Sequence, residues 1–381
     1  MTGGVRRSSV VVGRQTDLER LRRLVRAAAA GSPGCMFLTG EGGIGKTRLL
    51  NETTLDARRR GLAVLVGRAS IAAPLSFGVI AEALRSWLRT RAGTQRPPSV
   101  YDRGLQLVLP EWPAEAPTSG LTDSQVRLLA LEGLVDLVRD IGSGRGVALV
   151  IDDVHAADPE SLEALRYVAS TSLDGLAVIA ASRPGENALA DHLMERLAHQ
   201  GLAEIWPVEP LAATDVDDLL AALLGTRPPD EFVDEVLARA DGVPLFVEEI
   251  LDAHLRAGSL ALDERGVLWR GGANVVPRTV AALVATRLDR LTEAHRDVVT
   301  AGAIVGRRYR PHCDRLDAAS YDGAGRASCR TRCRPRRDTG GEHRVPSRGC
   351  RRRGERPRAA RRPARNARSR GCCVGTDGQG G

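Results

Sequence analysis

Lysine is almost missing from this sequence. Lys46 is the only one in 381 residues, and every other basic side chain is arginine. Aromatic residues are scarce as well, at 3%, so any hydrophobic core must be filled by Leu, Val, Ile and Ala. Of seven cysteines only Cys35 precedes residue 311, which leaves the first 310 residues without the means for a disulfide framework and suits a reducing compartment. No uncharged apolar run reaches the roughly 18 residues that a membrane-spanning helix requires. Val10-Val11-Val12 is too short to be the apolar stretch of a signal peptide. The expectation is a cytoplasmic protein that does not enter the membrane.

Charge is not short overall, but it is unevenly placed. The net charge of +8 would ordinarily point to a nucleic-acid or membrane-surface partner. Residues 311–381, however, carry 19 arginines against 7 acidic residues, leaving 36 basic and 40 acidic groups over the first 310. The last 71 residues hold one Leu, two Val and no Ile, Met, Phe or Trp. Such a segment cannot bury enough apolar surface to offset the entropy of ordering it, and it reads as a disordered basic tail.

Against this background, the stretch Gly40-Glu41-Gly42-Gly43-Ile44-Gly45-Lys46-Thr47 stands out. It fills every fixed position of G-x-x-x-x-G-K-[ST], after an apolar strand-like run (Cys35 to Thr39) and before the helix-like Arg48 to Glu52. Glycines allow the backbone to fold closely around a phosphate chain, and the loop N–H groups and helix N-terminus then face the anion. Lys46 would reach the β- and γ-phosphates, and the Thr47 hydroxyl would ligate Mg²⁺. A chance match in a chain with 41 glycines is the plainer reading. The flanking strand and helix, and the solitary lysine, argue against it.

A second informative stretch is Val147 to Asp153, five apolar residues followed by Asp152 and Asp153. Taken alone, paired aspartates after an apolar run are more often a turn than a metal site. With a phosphate loop upstream, their place at the carboxyl end of a buried strand is where α/β sheets bind ligands. Asp152 is then placed to share Mg²⁺ with Thr47, and Asp153 to polarise an attacking water. His155 is expected to order the loop backbone. Leu176 to Ala181 forms another buried run, and Arg183 just beyond it would face the γ-phosphate, although base rate alone favours a solvated loop arginine.

The remaining pattern is α/β: a P-loop NTPase three-layer sandwich with a mainly parallel sheet. Val10 to Arg14 reads as a short strand or an extended entry, Thr16 and Glu19 as the capping box of a helix that ends at Gly31 to Gly34, and 62–67 and 202–208 as further strands. Helical periods cover 76–91 and 122–141, with a proline-broken connection over 92–120. After Pro210 the pattern is wholly helical, over 214–224, 230–240 and 245–255. The expected domains are a loose 1–10, a nucleotide-binding 11–210, a helical and partial winged-helix 211–310, and the tail 311–381.

Together these motifs resemble the STAND branch of the AAA+-related P-loop ATPases, and more closely the ATPase module of large ATP-binding LuxR-type transcriptional regulators. The resemblance runs from about Val11 to Arg310. It rests on VVGRQTDLERL, GEGGIGKT, LVIDDVHAADPESLEAL, ASRPGE, the DGVPLFVEE segment at 241–249 and a winged-helix-like stretch from Val276 to Tyr309. Ala156 departs from it, since relatives often carry an aromatic there. The resemblance implies ATP or ADP with Mg²⁺, bound by Gly13, Arg14, the loop from Gly40 to Thr47, Arg48 and Pro244. Gly13 and Arg14 would lie near the adenine, and Pro244 would touch the base. It further implies a slow hydrolytic switch that self-associates in its ATP state and reads DNA through a C-terminal domain that this chain lacks.

Other readings stay open. The chain can be an ATPase acting directly, such as a module partnered with a cyclase or kinase, or a nucleic-acid-binding AAA+ protein using its arginine tail. The tail itself can bind nucleic acid, hold zinc through Cys329, Cys333, Cys350 and His343, or be an out-of-frame translation that begins within the winged helix. Sequencing codons 300–320 and translating every frame downstream separates these. We expect another frame to continue with amphipathic helices and end in a helix-turn-helix; a gene with no other open frame makes the basic tail genuine.

Overall fold

Continuous apolar runs without a polar face form strands that are covered on both sides. The computed structural model describes residues 11–70, 75–89, 99–113, 120–263, 266–271 and scattered positions between 285 and 300. In it, β1 (Gly34–Thr39), β2 (Ala63–Arg68), β3 (Val147–Asp152), β4 (Leu176–Ser182) and β5 (Glu204–Pro207) form one parallel sheet. Their order is β2-β3-β4-β1-β5. β3 and β4 are buried along their whole length, which is why their sequences show no alternation.

Successive residues of each strand face opposite sides, so two cores form. Met36, Leu38, Val150 and Ile179 meet Leu21 and Val25 of α1 (Gln15–Ala29) and Leu49 and Leu50 of α2 (Lys46–Arg59). Phe37, Leu149, Ile151 and Val178 face the other layer. That layer is built by α3 (Gly78–Leu88), α4 (Asp102–Val108), α5 (Asp123–Gly142), α6 (Pro159–Ser170) and α7 (Ala188–His199). A third cluster joins α8 (Ala213–Leu224), α9 (Asp230–Ala240), α10 (Pro244–Ala257) and the hairpin β6 (Leu260–Asp263) and β7 (Gly266–Trp269), around Phe232, Val236, Val247 and Leu251. The three-layer α/β sandwich is as expected, and its cores are mainly aliphatic.

Both edges of the sheet are occupied. Beside β2, the Val66 N–H donates to Ser86 Oγ (3.2 Å) and the Arg68 N–H to Glu82 Oε2 (2.8 Å), both side chains coming from α3. At the other edge β5 is only four residues long and ends in Pro207. There Arg20 pairs with Glu204 and lies 4.2 Å above the Trp206 ring.

Local expectations fail where a tertiary partner outweighs a local cap. The capping box at Thr16 and Glu19 does not form: α1 starts two residues earlier, with Arg14 as N-cap and no side-chain cap. The box forms at α5, where the Thr122 hydroxyl accepts from the Gln125 N–H and the Gln125 carbonyl oxygen accepts from the Thr122 N–H. Val11 and Val12 are not in a strand; Val12 packs against the α8–α10 cluster. The 92–120 segment contains α4, which lies against α5 so closely that a Cβ at Gly104 would come 2.3 Å from the Leu129 carbonyl carbon. The β6–β7 hairpin was not anticipated.

Contacts divide the chain into two units at Ala301 and Gly302. The expected tail at 311–381 and most of the winged-helix-like stretch lie outside the described residues. Among the described residues no helix is long and apolar enough to cross a membrane.

His254 of α10 is buried, with Nδ1 2.9 Å from Ser259 Oγ and its ring edge-on to Phe232. Burial lowers its pKa, with Arg239 adding to the effect and Glu235 opposing it. The unfolded chain therefore binds the proton more readily, and stability is lost as pH falls below the ordinary histidine value of about 6.5. We expect urea midpoints to fall between pH 7 and 5 in the wild type and to fall less in His254→Gln.

Candidate functional site

The turn from β1 to α2 is built around positive φ angles. Gly40, Gly43 and Gly45 have φ of 151°, 85° and 108°, a region that side chains disfavour. Gly45 caps α2, and Lys46 is its first residue. Lys46 is 5% exposed as a residue, and its ammonium donates to the carbonyls of Gly40 (2.7 Å) and Glu41 (2.9 Å). Burial, then the nearby Arg183, lowers its pKa to about 8, with Asp153 and Asp152 opposing the shift. Ile44 is buried, Gly42 lies under the Arg183 guanidinium, and Glu41 and Thr47 are exposed. Arg48 lies 3.9 Å from Glu52, along α2.

Thr47 reaches across to β3. Its hydroxyl donates to Asp152 Oδ2 at 2.9 Å, while Asp152 Oδ1 accepts from the Asp153 N–H at 3.0 Å. Burial and the neighbouring Asp153 raise the Asp152 pKa, and the Thr47 hydrogen bond opposes them. A desolvated carboxylate beside a hydroxyl is a pair of hard oxygens of the kind Mg²⁺ takes, so these residues fit the ion. Among the described residues no group of three His, Cys, Asp or Glu makes a metal cluster, so phosphate and water oxygens would complete such a shell. Asp153 itself stands at φ 57°, rare for a non-glycine residue. Its Oδ2 accepts from Arg68 Nε (3.3 Å) and Nη2 (3.2 Å) at the end of β2.

The register of β1 with β4 sets Thr39 opposite Ser182, so Arg183 emerges beside the loop. Its backbone N–H donates to His155 Nδ1 (3.4 Å), and its Nη1 lies 3.5 Å from Glu186. His155 also holds Asn187 through its carbonyl (3.0 Å). Its pKa is lowered by burial, with Asp153 opposing and Arg183 adding. It orders two backbone segments. The Ser182 hydroxyl is fully buried and has no hydrogen-bond partner among the described residues.

The helical region touches the loop directly: the Leu245 N–H donates to the Gly43 carbonyl (3.3 Å) just after Pro244, the first residue of α10. Gly13 has φ 68°, and a Cβ there would come 2.5 Å from Asp215 Cγ in α8. Arg14 is buried and donates to the carbonyls of Ile44 (2.8 Å) and Glu209 (2.6 Å).

Residues 10–179 match the AAA ATPase domain family. This span holds the loop, both aspartates and His155, and the chain contains an AAA ATPase-like domain. A Cdc6p structure from Pyrobaculum aerophilum is similar over 68% of this chain and 64% of its own, at 16% identity and TM-score 0.44. ORC2 of Aeropyrum pernix covers 66% and 64%, at 14% identity and TM-score 0.40. A signal transduction ATPase with numerous domains (STAND) from Pyrococcus horikoshii, with a tetratricopeptide repeat sensor, covers 79% and 36%, at 16% identity and TM-score 0.39. This chain thus spans less than two thirds of the length of each. No curated protein gives a significant match.

The fold gathers the loop, Asp152, Asp153 and Arg183 at the carboxyl ends of β1, β3 and β4. Arg14 meets the same loop through Ile44, Gly13 lies against Asp215 of α8, Pro244 precedes the Leu245 that bonds Gly43, and Arg48 is turned along α2. Sequence reading missed Arg68 and Ser182. Both lie where their strands end, and the rule that singled out Asp152 would have found them if applied to β2 and β4.

The glycines of the loop are not equivalent. A Cβ at Gly43 would meet Leu245 Cβ at 2.8 Å in a left-handed backbone, whereas one at Gly42 meets only the tip of Arg183 at 3.4 Å. Gly43→Ala is expected to lose about 2 kcal/mol or more of unfolding free energy. Gly42→Ala is expected to stay within about 0.5 kcal/mol of wild type in the same denaturant titration.

Proposed function

We propose that this chain is an ATP-binding switch module with slow hydrolysis, of the kind that opens large LuxR-type transcriptional regulators. Residues 11–210 form its nucleotide-binding part and 211–310 the helical part that responds. The observation that carries this reading is the single constellation at the strand ends: a lysine nested in loop carbonyls, and a threonine hydroxyl bonded to the first of two aspartates on the neighbouring strand. Bound Mg²⁺ would supply charge neutralisation between phosphate oxygens, held by Thr47 and Asp152.

The chain's own groups do the rest. Lys46 exchanges its two carbonyl partners for phosphate oxygens, which raises its pKa from about 8 and keeps the proton on Nζ. Arg183 lies over Gly42 and presents its charge to the end of the phosphate chain. Asp153 orients water once its carboxylate is released from Arg68. The switch reading draws support from the Leu245 to Gly43 hydrogen bond, because a phosphate that reshapes the loop also loads the start of α10. Self-association in the ATP state, and DNA contact through a further domain, belong to the same proposal.

Lys46→Ala should abolish ATP binding, and Asp152→Asn should keep measurable affinity while losing its dependence on Mg²⁺. Fluorescent-nucleotide titration with and without Mg²⁺ checks both. A Lys46→Ala protein that binds ATP as tightly as wild type would remove the assignment of the loop.

A further inference from the structure

Arg14 is the most heavily engaged cation of the described residues that the hydrolytic scheme leaves without a task. Its guanidinium is buried, and its two terminal nitrogens are already committed. Nη2 donates to the Ile44 carbonyl at 2.8 Å, and Nη1 donates to the Glu209 carbonyl at 2.6 Å and lies 3.5 Å from Asp17 Oδ2. Asp17 is itself fixed, since its Oδ1 accepts from the Trp206 indole N–H at 2.7 Å. The fork is therefore held from three directions: the phosphate loop, the segment between β5 and α8, and the edge strand β5. Burial lowers its pKa, and the charges of Asp17, Asp215 and Glu209 oppose this, so the cation is kept by its acidic surroundings.

The consequence follows from peptide geometry. In a trans peptide the C=O and the following N–H point in opposite directions across one rigid plane. Drawing the Ile44 oxygen towards Arg14 turns the Gly45 N–H away from Arg14. Gly45 is the cap of α2, so this N–H belongs to the positive end of the helix. The Gly43 carbonyl is held separately by Leu245, and those of Gly40 and Glu41 by Lys46. Arg14 holds the remaining one, the Ile44 carbonyl, and with it the peptide between Ile44 and Gly45.

We infer that Arg14 is a positioning residue for phosphate, which acts through the loop backbone and makes no contact with the base. The inference rests on reading Gly40 to Thr47 as a phosphate loop. It assigns Arg14 a different task from the neighbourhood of the adenine that the sequence resemblance implies. It also makes a sharp distinction between ligands: a base contact matters only when a base is present, whereas a loop strut matters for any polyphosphate.

The experiment uses the full chain with Mg²⁺ and two probes, ATP and inorganic tripolyphosphate, titrated calorimetrically into wild type, Arg14→Met and Arg14→Lys. Arg14→Met should bind both probes more weakly by the same factor, about tenfold, the worth of one charge-assisted hydrogen bond. Arg14→Lys, whose single ammonium can serve one carbonyl at a time, should fall between. Melting without any probe monitors the fold, and if Arg14→Met is unfolded the comparison rests on Arg14→Lys, again with equal loss for both probes. Loss confined to ATP overturns the inference and returns Arg14 to the base; unchanged affinity for both overturns it as well. A wild-type protein that binds neither probe overturns the loop reading itself and this inference with it.

Discussion

An ammonium group that is almost wholly buried must be surrounded by oxygen, and this requirement organises the site. Lys46 meets it with two carbonyls of its own loop, which closes the turn between β1 and α2 into a ring. The ring fixes the direction of α2, and α2 carries Thr47 to Asp152 and thereby joins β1 to β3 across the intervening β4. The composition of the chain agrees with this constraint. Guanidinium groups serve everywhere else, but a planar fork does not fit where a compact cation must sit inside a tight turn.

The helical region meets the same ring through the main chain of Leu245, and further main-chain bonds brace the chain on either side. The Val208 N–H donates to the Thr39 carbonyl (2.8 Å), the Leu211 N–H to the Gly242 carbonyl (2.8 Å), and the Leu245 N–H to the Gly43 carbonyl. A loop held this way has few independent shapes, since a change in one peptide strains partners on other elements. The switch proposed for this chain would therefore need no long chain of intermediates between loop and helices.

The parts that were legible in the sequence are those that a single period or motif determines. β1, β3 and β4 announced themselves as apolar runs because both faces are covered, and the loop was fixed by its glycines and its lysine. Asp152 became readable once the loop was known, since strand ends in a parallel sheet converge. Arg68 was hidden by its own commonness in a chain with so many arginines, and only the register Arg68 to Asp152 shows its relation to Asp153. Ser182 was passed over although it ends β4, because a small polar residue at the end of a strand is ordinary. At Thr16 a good local pattern lost to a distant one: the backbone of Arg14 is placed by what its side chain holds.

The treatment of the sheet edges bears on how this chain behaves in company. An open parallel sheet leaves a row of unpaired donors and acceptors at each side, and such rows recruit strands from other molecules. Along β2 two of those donors are already satisfied by Ser86 and Glu82. β5 offers only four residues, one of them a proline without a donor, beneath an arginine. Strand addition to this sheet is thereby discouraged at both margins, which leaves it a private structure of each molecule.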